Sequence, residues 1–489
     1  MCKKGNHWIW MCVCCFLSSF VAVSVAVAAA VAAEPPVERI VWVFGDDLSQ
    51  VRGHIQSLRL TVEDVTDEGF QARATDEQLA KLTEYGYRYK VLWEDAMDRA
   101  MDRKQRMMDD LLWTGYSSLV SHMQTVAAEN PDIVRLHTVG TTVQGRTIYV
   151  MEITDEPDYD DPLEAEVRFI GNIHGDEYMS LELMVLLIDY LVDNYGTDPD
   201  ISYLVNNREI WIQASVNPDG HENGSRYNAN YIDLNRNHGY YWGGEGACSF
   251  SEPEVRVLRE YSLDRNFSLS LSFHGETTYI NYVWNFSPNA TPDESYIDTL
   301  SWGYYNHQLP GQGYTVINGW DWYQTNGDTN DWSYGCRGDI DWTIETPGYT
   351  SGAIQQDWDN NRDAILYIAD QAGYGMQGVV TDATTGAPLE AVVTILQAPW
   401  PVYTDPAAGD YHRVLAAGTY DVMVWANGYS TGYGYDIDVP DQGTVTFDIA
   451  LNRNFQICAQ QVCTYEVTSY YTSNYTNLAY PHYALGPSD

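Results

Sequence analysis

His174-Gly175-Asp176-Glu177 sets an imidazole and a carboxylate three residues apart. Neutral imidazole with carboxylate is a normal ligand pair for a divalent cation such as zinc. A second histidine, His274, closes a run in which Phe267, Leu269, Leu271 and Phe273 alternate with Ser268, Ser270 and Ser272. Two histidines and one glutamate leave a coordination position open for water, the pattern of hydrolytic rather than structural zinc. Glu345 ends the run Ile340-Asp341-Trp342-Thr343-Ile344. A carboxylate there can take a proton from the attacking water and pass it to a leaving amine. Each feature alone has a plainer reading. His174 and Glu177 read equally as a polar helix cap, His274 as a core or loop histidine, and Glu345 as an exposed strand end.

The run from Ser225 to Asn237 follows Asn217-Pro218-Asp219-Gly220 and holds Arg226, Arg236 and four asparagines. It is a non-helical loop in a region poor in arginine. Guanidinium and amide groups in such a loop suit recognition of a carboxylate or an oxyanion.

These residues need elements to place them. Runs at 147–153, 167–173, 209–216, 267–273 and 339–346 read as strands. Runs at 117–129, 179–195 and 361–371 read as helices. Alternating strands and helices predict an α/β domain with a sheet flanked by helices. His174 opens the helix at 179–195, so one helical turn is expected to aim His174 and Glu177 at the same point. His274 and Glu345 stand where strands stop, the edge at which α/β sheets collect ligands. Upstream, 38–95 alternates strand-like and amphipathic runs, as in a small α/β unit, and 96–112 is a charged, Met-rich helical pattern. From 375 to 452 short strands follow one another with Gly, Pro and Asp between them, predicting a β-sandwich. Residues 453–489 form a Tyr-, Ser- and Thr-rich tail without an assignment.

The 489 residues carry a net charge of −42. Residues 107–489 account for −40 of it and contain no lysine, whereas 1–106 are nearly neutral. Such an acidic chain repels nucleic acid and anionic membrane surfaces. Lys3 and Lys4 precede an apolar run from Trp8 to Ala33, which ends in small residues before Glu34-Pro35-Pro36. This predicts a secretory signal over 1–33 and a secreted, extracellular, periplasmic or cell-surface protein, an uncleaved anchor being the other reading. Four cysteines lie beyond it. Cys458 with Cys463 is the easiest local disulfide, leaving Cys248 and Cys336 either as a second pair or as free thiols.

Over about residues 115–370 the chain resembles the zinc metallocarboxypeptidases of the carboxypeptidase A/B type, with all their motifs in order. The resemblance implies the mixed-sheet fold of that family and a zinc ion, one per chain, on His174, Glu177 and His274. It implies Glu345 as general base and acid, and Arg226 as the group that polarises the scissile carbonyl. Asn235 and Arg236 correspond to the grip on the substrate's terminal carboxylate, and Asp233 to a carboxylate orienting a metal-bound histidine. Tyr323, 22 positions before Glu345, resembles the tyrosine that closes over substrate. Asn330 falls at the base of the pocket for the terminal side chain, where relatives carry an apolar residue or Asp. Asp328 matches an Asp of bacterial enzymes resembling carboxypeptidase T, which accept apolar and basic ends. Mixed specificity with some preference for Arg or Lys follows.

The unit at 34–106 resembles an inhibitory propeptide, and Arg103-Lys104-Gln105-Arg106 suggests trypsin-like activation by another protease. The domain at 375–452 resembles the transthyretin-like domain of regulatory carboxypeptidases, and the catalytic domain lies between, at 107–374. The expected partners are peptide or protein C-termini, with no nucleic acid and no stable membrane partner after signal cleavage. Two rivals are an amidase of the same fold, acting on peptidoglycan peptides or acyl amino acids, and an inactive protein binding through its sandwich.

Overall fold

The computed structural model describes residues 36–454, apart from 46–47, 67, 110–113 and 158. The apolar N-terminal run, Cys458, Cys463 and nearly all of the Tyr-rich tail lie outside the described residues. Among the described residues no helix is long and apolar enough to cross a membrane.

The first unit comprises β1 (Glu38–Phe44), α1 (Leu48–Leu58), β2 (Thr61–Thr66), β3 (Gly69–Thr75), α2 (Asp76–Glu84), β4 (Arg88–Trp93) and α3 (Ala96–Asp109). Its strands form an antiparallel sheet in the order β2-β3-β1-β4. Val41, Val43, Phe70 and Ala72 bury one side of that sheet under Leu79 and Leu82 of α2. Thr75 and Gln78 form a capping box that fixes where α2 begins.

The second unit runs α4 (Tyr116–Glu129), β5 (Val134–Thr141), β6 (Thr147–Ile153), β7 (Ala165–Gly171), α5 (Tyr178–Asn194), α6 (Pro199–Val205) and β8 (Arg208–Gln213). It continues with α7 (Pro218–Asn223), a 3-10 turn (Leu234–Arg236), α8 (Pro253–Leu263), β9 (Leu269–Gly275), β10 (Tyr279–Tyr282) and α9 (Glu294–His307). Last come β11 (Thr315–Asn318), α10 (Gly319–Trp322), α11 (Thr329–Arg337), β12 (Ile340–Thr346) and α12 (Ser351–Gln371). The eight-stranded sheet has the order β11-β10-β12-β9-β7-β8-β6-β5. Its centre, β12-β9-β7-β8, is parallel, and antiparallel pairs flank it on both sides. The parallel strands therefore end together, and each hands its last residues to one edge.

Strand β9 is buried along its whole length. Its serine face meets charge rather than solvent: Ser270 donates to Asp339 and Ser272 to Asp341, and Arg168 Nη2 lies 2.9 Å from Asp339 Oδ2. Helix α12 starts ten residues before the expected 361. Cys248 and Cys336 are free thiols, so the second disulfide does not form.

The third unit is a sandwich of β13 (Gly375–Asp382), β14 (Ala391–Ile395), β15 (Ala398–Tyr403), β16 (Asp410–Val414), β17 (Gly418–Ala426), β18 (Gly432–Val439), β19 (Thr444–Thr446) and β20 (Ile449–Leu451). One sheet centres on β13, flanked by β16, β19 and β20; the other has the order β15-β14-β17-β18. Arg413 donates to Asp293 at 2.6 Å and Trp400 Nε1 to the Tyr334 carbonyl at 2.6 Å, joining the sandwich to the second unit.

Candidate active site and metal centre

His174 lies just beyond β7, in a turn that precedes α5. The pair is therefore not carried on a helical turn, as the spacing suggested. Asn172 at φ 56° bends the chain, Glu177 N–H donates to the His174 carbonyl at 3.2 Å, and Glu177 is the N-cap of α5. Gly175 lies against Gly220, where any Cβ would meet backbone at 2.1 Å.

The turn and the end of β9 bring three side chains to one point. His174 Nδ1 lies 2.8 Å from Glu177 Oε1, and His274 Nδ1 is 3.1 Å from His174 Nδ1. Glu177 Oε2 lies 3.0 Å from His274 Nδ1 without hydrogen-bond geometry, and so has no donor. One ligand atom from each residue lies within 4.8 Å of the others, and all three residues are buried. Two ring nitrogens facing each other beside an orphaned carboxylate oxygen fit a divalent cation with nitrogen and oxygen ligands, zinc in particular.

Glu345 sits on β12 directly opposite His274 in the parallel register. Its Oε2 is buried without a partner. Burial, and then the neighbouring Glu177 carboxylate, raise its pKa well above the usual carboxylate range. Arg226 Nε donates to Asp233 Oδ2 at 3.0 Å, and its Nη1 reaches Glu177 Oε1 at 3.4 Å. The other Asp233 oxygen accepts from His174 Nε2 at 3.1 Å. Asp233 thus fixes the ring of His174 and the guanidinium of Arg226 together.

The 3-10 turn carries Asn235 and Arg236. Asn235 Oδ1 accepts from Thr329 N–H at 2.9 Å, and Arg236 Nη2 donates to the Tyr323 hydroxyl at 2.9 Å. Asp328 caps α11 by accepting from Asp331 N–H and also lines the cleft. Asn330 lies elsewhere. It is fully buried, donates to the Asp341 carbonyl at 3.1 Å and accepts from Thr343 at 2.9 Å. Thr343, not Asn330, forms the cleft wall there. Sequence reading also missed Asn281 and Asn285, which line the cleft with Nδ2 and Oδ1 unpartnered. Asn281 sits on β10, which has only four residues and gives almost no periodic signal, and Asn285 lies three residues beyond that strand's end.

Thr61, Val62 and Glu63 of β2 close over the cleft. Trp322 and Tyr323, which line it, pack with Tyr279 into one apolar cluster with the core of the first unit. The space left is about 40 Å³, room for a water or two but not for a substrate residue.

Residues 119–364 match the family described as zinc carboxypeptidase. The chain belongs to the zinc carboxypeptidase family. Residues 375–452 match the carboxypeptidase regulatory-like domain. Carboxypeptidase D of Homo sapiens is 31% identical over 366 residues, covering 68% of this chain and 26% of that protein. The carboxypeptidase N catalytic chain of Rattus norvegicus is 30% identical over 393 residues, covering 69% of this chain and 86% of that one. The chain thus spans about a quarter of the carboxypeptidase D relatives it matches. Among solved structures, carboxypeptidase A from Helicoverpa armigera superimposes with a TM-score of 0.60 at 19% identity, over 69% of this chain and 98% of that one. This likeness concerns the fold alone.

Proposed function

We propose that this zinc carboxypeptidase is a secreted zymogen whose processed form removes single C-terminal residues from peptides and proteins. The carrying observation is the meeting of His174, Glu177 and His274 beside Glu345, in a cleft that also holds Asn235, Arg236 and Tyr323. When bound there, zinc supplies Lewis-acid polarisation and makes a water acidic enough to attack near neutral pH. Asn235 and Arg236 bind the free terminal carboxylate, with the Tyr323 hydroxyl already on Arg236. Holding that carboxylate sets the cut one residue from the end. Arg226 hydrogen-bonds the scissile carbonyl oxygen as negative charge develops on it. Glu345 takes a proton as the water oxygen bonds the carbonyl carbon. It delivers that proton to the amide nitrogen as the C–N bond breaks. Asp328 at the cleft wall favours basic terminal side chains without excluding apolar ones.

In this reading residues 1–33 are the signal, 34–106 the propeptide and 107–374 the catalytic domain. The sandwich serves folding or surface binding and has no catalysis of its own. Peptide C-termini are the partners, with an activating protease acting near Arg106, which is 61% exposed. Cleavage there requires α3 to open locally, because the basic cluster lies inside that helix.

The test is a scan of dansylated peptides differing in the last residue, with trypsin-processed protein, with and without a zinc chelator. Release of C-terminal Arg, Lys and Leu, abolished by chelation and by C-terminal amidation, is expected. Asp328→Ala should lower the Arg-to-Leu ratio of kcat/KM by roughly tenfold. Equal hydrolysis of amidated peptides, or cleavage of muropeptides alone, would refute the exopeptidase reading.

A further inference from the structure

The first unit does more than cover the cleft: it lodges three arginines in acidic sites of the catalytic domain. Arg73 Nη2 donates to Asp176 Oδ2 at 2.8 Å. Arg99 Nη2 donates to Glu276 Oε1 at 3.2 Å. Arg103 forks onto both oxygens of Glu276, with Nη2 to Oε2 at 2.9 Å, and its guanidinium lies 3.7 Å from the centre of the Tyr349 ring.

Glu276 lies two residues after His274 and lines the same cleft as Glu345. Its side chain is 3% exposed, and its backbone is held at φ 105°, a conformation costly for any residue but glycine. Asp176 lies between His174 and Glu177 in sequence. It is 2% exposed, and its Oδ1 has no partner even with Arg73 in place. A carboxylate fork beneath an aromatic face is a guanidinium site, and an arginine already occupies it. The propeptide brings part of its own counter-charge, since Glu63 accepts from Arg73 and Arg99 at 2.7 Å each. Its departure leaves Glu276, Asp176 and Tyr349 facing an emptied cleft without those cations.

We infer that Glu276, Asp176 and Tyr349 form a subsite for basic side chains upstream of the scissile bond, and that propeptide arginines occupy it as stand-ins for substrate. The inference rests on the carboxypeptidase reading above. Asn235, Arg236 and Asp328 claim the terminal residue, so the residues before it leave past Glu276. The substrate class is then a peptide with arginine or lysine one or two positions before its last residue.

The test uses the full chain processed by trypsin, with the trypsin then inactivated by a serine-directed reagent. Dansyl-Ala-Ala-Leu, dansyl-Ala-Arg-Leu and dansyl-Arg-Ala-Leu keep the terminal residue constant. Arginine at one upstream position should raise kcat/KM roughly tenfold, mainly through KM. Glu276→Gln and, independently, Tyr349→Leu should bring that ratio close to one. The second variant decides the matter if the first does not fold. Hydrolysis of all three peptides within twofold of one another would overturn the subsite while leaving the carboxypeptidase reading intact. If none is cleaved, that reading itself fails, and fluorescence anisotropy decides. Amidated dansyl-Arg-Arg-Ala binding tenfold tighter than equally amidated dansyl-Ala-Ala-Ala would uphold the subsite, and equal binding would overturn it.

Discussion

Arg73→Ala in the uncleaved chain isolates the grip of the first unit on the cleft. Arg73 is 3% exposed and holds Glu63 at 2.7 Å and Asp176 at 2.8 Å. Truncating it leaves Asp176 buried, with Oδ2 losing its guanidinium and Oδ1 already unpartnered. Removing one member of a buried ion pair costs about 3–5 kcal/mol. Glu63 keeps Arg99 as a partner, which argues for the lower figure. The cost falls on the closed arrangement alone, because Asp176 meets water once β2 and β3 lift away. At about 3 kcal/mol, the open fraction rises roughly a hundredfold. The assay is hydrolysis of a dansylated peptide by intact chain, with zinc measured by elemental analysis and chain length by mass spectrometry. Arg88→Ala, on an exposed position of β4, is the control and should stay silent. A folded, zinc-loaded, uncleaved R73A protein as inactive as its parent would show that this ion pair does not hold the cleft shut.

Glu345→Gln should lower kcat by roughly 10²- to 10⁴-fold while zinc content is unchanged, because Glu345 moves the proton and is not a ligand. Loss of zinc from this variant would contradict that division of labour. Away from the site, burial, and then Asp160 and Glu152, raise the pKa of Glu209 to about 9. The folded protein keeps a proton there that the unfolded chain releases near 4.5, so stability falls as pH rises from about 4.5 through 9. Glu209→Gln should therefore flatten the decline of Tm over pH 5–9, read by calorimetry, and a decline equal to the parent's would assign it to other groups.

The sheet and its edge were legible because β7, β9 and β12 each present a plain strand signal, and the two histidines, Glu177 and Glu345 stand beside their ends. What escaped reading was tertiary. The Leu-Ser alternation of β9 is the mark of a half-exposed strand, yet both faces are buried, because Arg168, Asp339 and Asp341 come from elsewhere in the chain to meet the serines. Asn330 occupies the expected place in the sequence, but its amide is turned to Asp341 and Thr343. In the sandwich, β15 and β18 carry weak strand signals, since Pro399 and Pro401 interrupt the first and glycines thin the second. The pairing of Arg73, Arg99 and Arg103 with Asp176 and Glu276 spans 103 positions or more and leaves no local trace.

The seam between sandwich and catalytic domain imposes an order on synthesis. Tyr334 donates to Asp293 Oδ2, and the other Asp293 oxygen waits for Arg413, 120 positions further on. Trp400, which stacks on Tyr334 with ring centres 5.2 Å apart, follows it by 66 positions. At about 5–20 residues per second, a ribosome that has completed the catalytic domain near residue 374 takes roughly 2–8 seconds more to supply Arg413. During that interval the nascent catalytic domain carries Asp293 without its cation and, until Trp400 is made, the Tyr334 ring without its cover. The sandwich therefore completes the wall of the domain made before it, and a ribosome stalled near residue 374 would hold a catalytic domain with that wall unfinished.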